Sequence, residues 1–204
     1  MMLSTAKSLQ TVLSSPRRID STFSDRIINT SRTRANVFDS HLYIGLFCPF
    51  AHRANLILHM KQLPHYANIT TSIVKPYPKG DDKGWPGWQF NLPSSKGTDD
   101  WYDGSTEDHL FGSKYLHEIY FKADPEYKGR YSVPVLWDKK LGTIVNNESL
   151  ELLRDLQTAF NTLPDLPQEL KEIDLHPEGL REDIDRIGEW MQRDLNTGVY
   201  KSEI

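Results

Sequence analysis

The chain has 204 residues, enough for one ordinary domain and a smaller second one, and its 24 Lys and Arg against 28 Asp and Glu leave a formal net charge of −4. No dense basic block suggests a nucleic-acid backbone as partner. A single cysteine excludes an internal disulfide framework and no apolar stretch approaches the roughly 20 residues of a membrane span, so a soluble protein of a reducing compartment is expected, the cytoplasm first.

Met1 to Arg18 carries Lys7, Arg17 and Arg18, many Ser and Thr and no acid, with Leu9, Val12 and Leu13 on one helical face. That composition is close to a weak mitochondrial transit peptide; a disordered, solvated tail is the alternative. Phe23 to Phe38 is polar and Arg-rich without periodicity, and reads as a lead-in that packs on the domain, so residues 1–40 form a tail and lead-in. Regular structure starts near His41. Leu42 to Phe47 is a compact apolar strand, Pro49 suits the first turn of a helix, and Ala51 to Leu63 continues that helix up to a break at Pro64-His65. Ile69 to Val74 is β-branched and alternating, which completes a βαβ unit.

Lys75 to Gly112 is crowded with Gly, Pro, Asp and Trp, too polar for core and too long for an ordinary connection. Trp85, Trp88 and Trp101 argue for partial order there, since bare indoles would expose large apolar areas. Ser113 to Ala123 fits a helix stopped by Asp124-Pro125. Tyr131 to Trp137 and Thr143 to Asn147 are strands joined through Asp138 to Gly142 as a hairpin. A proline inside the first of these strands cannot donate to a ladder, and at a strand entrance it is the position for a cis Val133-Pro134 bond beside a thiol pocket. Glu148 to Phe160 is amphipathic, with Leu150, Leu153, Leu156 and Phe160 on one face. After Pro164 and Pro167 a linker-like stretch leads to Glu178 to Asn196, whose stripe Leu180, Ile184, Ile187, Met191 and Leu195 is expected to pack on the preceding domain.

The order strand, helix, strand, helix, strand, strand, helix is that of a thioredoxin-like fold. The fold class expected is therefore α/β, a thioredoxin-like domain at residues 41–160 followed by a partial all-α domain at 161–204. Cys48 falls where the first strand meets the first helix. Unpaired N–H groups and the positive dipole end favour S⁻ over SH there, and His52 and Arg53 add to that bias if they face the same side. A dithiol centre would place a second cysteine at position 51, which is Ala51, so any catalytic disulfide must use a thiol from outside the chain. Glutathione is the obvious candidate. The plain alternative for Cys48 is an inert core thiol, for Trp88 and Arg130 loop packing and a surface ion pair, and for Glu148-Ser149 an ordinary helix start. Four histidines and Cys48 show no closed ligand spacing, so no metal is expected.

Cys48-Pro49-Phe50-Ala51-His52-Arg53, Gly87-Trp88-Gln89-Phe90, Ala123-Asp124-Pro125, Gly129-Arg130 through Val133-Pro134-Val135-Leu136-Trp137-Asp138-Lys139-Lys140, Ile144-Val145-Asn146-Asn147-Glu148-Ser149 and Asn196 to Lys201 together resemble the Xi-class glutathione transferases, the glutathionyl-hydroquinone reductases close to the Omega class. The resemblance runs from about His41 to Lys201. It implies a cysteine-type transferase in which Cys48 takes glutathione from a quinone-type aromatic as a mixed disulfide, with glutathione as co-substrate and resolving thiol. It further implies that Val133 pairs with the cysteinyl unit and that Glu148 and Ser149 hold the γ-glutamyl group. Trp88 and Arg130 would close over the peptide, while Phe50 and Tyr200 would line the aromatic pocket.

The implied partners are glutathione and a small quinone-type aromatic, without nucleic acid or membrane, and with a homodimer as a further option. Two departures stand out. Phe50 replaces the usual tryptophan after Cys-Pro, and the family continues for about another domain of helices beyond the tyrosine motif. The expectation is therefore a truncated helical half, with a non-catalytic protein that binds glutathione or an aromatic intermediate as the alternative to an enzyme. A conjugating transferase, which needs a Ser or Tyr hydroxyl at the position of Cys48, is disfavoured.

Overall fold

The computed structural model describes residues 23, 39–76, 87–199 and 201. Met1 to Arg18, most of the Phe23 to Phe38 lead-in, Trp85 and Tyr200 lie outside the described residues. The frame is a four-stranded sheet, β1 (Ser40–Ile44), β2 (Thr70–Ile73), β3 (Val135–Asp138) and β4 (Thr143–Asn146), in the order β2-β1-β3-β4. β1 runs parallel to β2 and antiparallel to β3, and β3 runs antiparallel to β4. Helix α1 (Pro49–Met60) makes the crossover from β1 to β2, α3 (Leu116–Ala123) follows the long loop, and α4 (Ser149–Thr158) follows the hairpin. This is the expected thioredoxin-like arrangement.

The strands are short because their ends are taken by turns. β1 stops at Ile44 rather than continuing to Phe47, since the Cys48 N–H bonds back to the Gly45 carbonyl at 3.0 Å and swings the chain towards α1. A Cβ on Gly45 would come within 2.6 Å of the Phe47 ring, so a larger residue there would have to push that ring aside. β3 begins at Val135 instead of Tyr131: the Val133–Pro134 bond is cis, as expected, and Pro134 stands just outside the ladder, where its missing N–H costs no strand hydrogen bond. In the hairpin turn the Asp138 carboxylate accepts from the Lys140 and Leu141 N–H groups, and Gly142 takes a positive φ of 67°.

Alternation along β1 gives the sheet two apolar faces. His41 and Tyr43 share one, their rings 4.6 Å apart, with Trp137 opposite His41 on β3. The loop from Gly87 to Ser113 covers this face: Tyr43 packs on Phe90 and donates to Asp108, and Asp108 also accepts from the Leu110 and Ser113 N–H groups. Buried Lys75 donates to the Asp100 carbonyl and pairs with its carboxylate at 3.2 Å. The loop is ordered by these polar anchors, so the expectation of partial order holds for its described part.

Leu42 and Ile44 face the other way, and α1 packs along α4. Lys61, buried at the end of α1, clamps the two helices by donating to the Gln157 carbonyl and to the Asn161 side chain. The break at Pro64 holds one helical turn, α2 (Leu63–Tyr66), and the stretch after Pro167 another, α5 (Gln168–Lys171).

The last segment corrects the sequence reading twice. The expected single helix is a 3-10 turn at Glu178–Leu180, then α6 (Arg181–Trp190), a wider π-helical turn at Met191–Asn196, and the short α7 (Thr197–Val199). Most of its apolar stripe is left open: Leu180 is 56% exposed, Ile187 48% and Leu195 50%, Ile184 is only half-buried, and α6 fully buries no residue. The reason is visible on the opposite face. Asp185, two residues and so about 200° of helix turn from Ile187, pairs with Arg154 of α4 and with His176 at 2.8 Å, so the polar side of α6 meets the domain.

Candidate active site

Two helix N-termini and one extended loop converge beside the sheet. Cys48 is the N-cap residue of α1, with extended backbone (φ −92°, ψ 114°), half-buried and free of any disulfide. Its thiol points at the Val133 carbonyl, 3.7 Å away, on the loop that enters β3 through the cis bond. The helix start supplies unpaired N–H groups and positive potential around the sulfur. Glu148 is the N-cap residue of α4 and Ser149 its first turn; Glu148 is half-buried and accepts from the Leu150 N–H at 3.4 Å, while Ser149 is buried.

Arg53 joins the two helix starts. From the second turn of α1 its guanidinium donates to the Ser149 hydroxyl at 3.0 Å and lies over the Phe50 ring at 5.3 Å. Burial pulls this group down from its ordinary value, and its electrostatic interactions with Glu148 and Cys48 oppose that pull. A cation against two positive helix ends is electrostatically sensible only where anions gather, and Glu148 is one of them. His52, by contrast, is exposed. Sequence reasoning weighed Arg53 only as a neighbour of the thiol; its reach to Ser149 depends on the packing of α1 on α4, which no local pattern displays.

The other expected residues are placed less uniformly. Trp88 is half-buried and stacks on Phe47, the residue before Cys48, with ring centroids 4.6 Å apart, and its carbonyl accepts from the Leu116 N–H at 2.8 Å. Arg130 is exposed on the loop before Ser132; what holds this loop is its carbonyl, which accepts from the Tyr127 hydroxyl at 3.0 Å. Phe50 lines a groove with Pro49, Arg53, Asn196 and Val199, so the segment leading to Tyr200 comes back against the start of α1. Among the described residues no group of three or more His, Cys, Asp or Glu side chains is set to hold a metal ion, and no helix is long and apolar enough to cross a membrane.

A thiol capping a helix, a cis-proline loop entering β3 and an acidic second helix start, all on a thioredoxin-like sheet, define a glutathione-transferase type of domain. The family model for the glutathione S-transferase N-terminal domain matches residues 47–159, and the chain belongs to that family. Xi-class glutathione transferases are among its relatives. It is 40% identical over 162 residues to the glutathionyl-hydroquinone reductase YqjG of Escherichia coli K12, covering 79% of this chain and 43% of that protein. It superposes on the glutathione transferase Xi of Phanerochaete chrysosporium with a TM-score of 0.77 at 35% identity, over 91% of this chain and 55% of that one. The glutathione-bound structure of YqjG matches with a TM-score of 0.65 at 40% identity, over 79% of this chain and 46% of that one. The chain thus spans about half the length of the relatives it matches.

Proposed function

We propose that this protein is a glutathione-dependent reductase that removes glutathione from glutathionylated hydroquinones through a Cys48–glutathione mixed disulfide. The observation that carries the reading is the placement of the Cys48 thiol at the start of α1, 3.7 Å from the Val133 carbonyl. Val133 offers its backbone to the cysteinyl unit of glutathione, and Glu148 and Ser149 take the γ-glutamyl ammonium and carboxylate, a carboxylate meeting a cation and a helix start meeting an anion. Arg53 holds the Ser149 hydroxyl in place for this. Trp88 and Arg130 close over the peptide. Phe50 and the segment reaching Tyr200 receive the aromatic ring. The names of the relatives support this reading, one being a glutathionyl-hydroquinone reductase and one having been solved with glutathione bound.

The chemistry runs in two displacements. The Cys48 thiolate attacks the glutathionyl sulfur; the carbon–sulfur bond to the ring breaks, its electron pair goes to the ring carbon, and that carbon takes a proton to give the hydroquinone. A second glutathione thiolate then attacks the bound glutathionyl sulfur, releasing glutathione disulfide and the Cys48 thiolate. One cysteine suffices because the resolving thiol comes from outside. The steady supply of reduced glutathione this needs fits a cytoplasmic setting. Glutathione disulfide formed from a glutathionyl-hydroquinone, with loss of all turnover in Cys48→Ser, is the result expected; turnover retained in Cys48→Ser overturns the reading. The exposed apolar face of α6 and the groove beside Phe50 favour one second reading, a protein that binds glutathione or an aromatic product without turnover. Glutathione binding with no disulfide product identifies it.

A further inference from the structure

Val133 and Glu148 stand on two different loops, and the strand pairing does not fix the distance between them. The β3–β4 ladder runs from Leu136 opposite Asn146 to Asp138 opposite Thr143, with an irregularity after Leu136. Ser132 to Pro134 and Asn147 to Glu148 therefore lie beyond its last pair. Across that gap sits a single oxygen. The Tyr120 hydroxyl, on α3, donates to the Ser132 carbonyl at 2.8 Å, accepts from the Ser132 N–H at 3.3 Å and accepts from the Asn147 side-chain amide at 3.1 Å. Ser132 adjoins Val133, and Asn147 adjoins Glu148.

We propose that Tyr120 and Asn147 form a clip that sets the spacing between the cysteinyl subsite at Val133 and the γ-glutamyl subsite at Glu148 and Ser149, which makes Tyr120 a positioning residue for glutathione. The inference rests on the glutathione reading of the site given above. The surroundings make the clip rigid. Tyr120 is fully buried, its ring packed against Phe23, Tyr127 and Tyr131, and the Phe23 carbonyl accepts from the Asn147 N–H at 3.0 Å. Burial pushes the phenol up to about 12, so it keeps its proton and its donor role across the working range of pH.

The choice of side chains points the same way. Asn147 is buried, and its side-chain oxygen has no hydrogen-bond partner among the described residues. A buried, unpaired carbonyl is costly and an apolar side chain would fill the same space without that penalty. What the amide contributes is its N–H to Tyr120. Tyr120 reaches the clip from α3, on neither of the helices that carry Cys48 and Glu148, so loss of its hydroxyl changes the spacing of the two subsites without altering a residue of either subsite.

The test compares two disulfides at neutral pH, glutathione disulfide and 2-hydroxyethyl disulfide, by the rate at which each adds one half to Cys48 in the intact mass. In both, the Cys48 thiolate attacks one sulfur, forms the mixed disulfide and releases the other half as a thiolate. Only glutathione disulfide spans both subsites. Tyr120→Phe keeps the ring and loses the hydroxyl, and its rate with glutathione disulfide is expected to fall about three- to tenfold, the size of a lost neutral hydrogen bond, while the rate with hydroxyethyl disulfide is retained. Asn147→Leu is expected to reproduce the loss, and the double variant to be no slower than Tyr120→Phe alone. An unchanged ratio of the two rates, or a parallel fall in both, overturns the clip. Equal rates of the two disulfides with the unaltered protein overturn instead the glutathione reading on which the clip depends.

Discussion

The described residues from Leu42 to Phe160 close on a continuous core in which Tyr43, Ile57, Leu116, Leu152, Leu156 and Phe160 are sealed from solvent, whereas among the described residues from Gln168 onward no helix buries a single one. Beside one apolar contact, Ile173 on the core, the second region is held by polar contacts: Arg154 and His176 on Asp185, Gln157 on Asp174, and the Gln157 side chain on the Leu175 N–H. Half-exposed ion pairs of this kind contribute little to stability. The cradle around Cys48, Val133 and Glu148 therefore draws its rigidity from the first region, while the second shapes the groove beside Phe50. Substitutions of equal chemistry in the two regions should therefore have unequal effects, and the largest belongs to the core. Leu156→Ala is expected to destabilise the fold by about 2–5 kcal/mol, as full burial and a cavity predict, read from chemical unfolding.

A second way to sharpen the contrast is pH. His41 is buried, bonded to Thr70 and Ser72, and desolvation by burial lowers it from 6.5 to about 4, only partly opposed by Asp108. A histidine lowered in the folded state binds its proton more readily in the unfolded chain, so its contribution is fully present above pH 6.5 and is lost as pH falls towards 4. The slope is about 1.4 kcal/mol per pH unit across that window, on the order of 3 kcal/mol in all. Urea unfolding at pH 7 and at pH 5 should show it, and His41→Gln should flatten it. A slope that survives this substitution places the titrating group elsewhere.

Much of this was legible in advance. The strand-to-helix position of Cys48, the cis bond before β3 and the acidic start of α4 follow from local residue types, Pro49, Pro134 and Glu148-Ser149, whose constraints act within a few residues. Arg53 on Ser149 and Tyr120 on Asn147 were not, because those pairs lie 96 and 27 residues apart and exist only once α1 meets α4 and α3 meets the hairpin. The α6 stripe misled for a related reason. Its periodicity announces an apolar face but not which surface that face meets, and Asp185 bonding to Arg154 turned it outward.

Within the cradle the next effect is on binding. Glu148→Gln keeps an oxygen for the Leu150 N–H, so the helix cap survives, but removes the charge expected to meet the γ-glutamyl ammonium. Glutathione affinity should fall by about 1.5–3 kcal/mol, the worth of a hydrogen bond to a charged group. Calorimetry measures the affinity and thermal unfolding checks the cap. An unchanged affinity removes Glu148 from the site.

The smallest expected effect is the most discriminating for the comparison of the two regions. Ile187 is as large and as apolar as Leu156, and by composition alone the two should weigh the same. Yet Ile187 is 48% exposed, on the face of α6 opposite Asp185 and its contacts to Arg154 and His176. Replacing it with serine removes little buried area and leaves no cavity, so stability should change by less than about 0.5 kcal/mol. Serine and isoleucine have nearly equal helix propensities, so the measured change reports burial rather than backbone preference. If Ile187→Ser instead costs as much as Leu156→Ala, the face around Leu180, Ile187 and Leu195 is covered in solution. Repeating the unfolding at several protein concentrations then separates the sources, since a second copy of the chain as the cover makes the loss concentration-dependent and a cover within one chain does not.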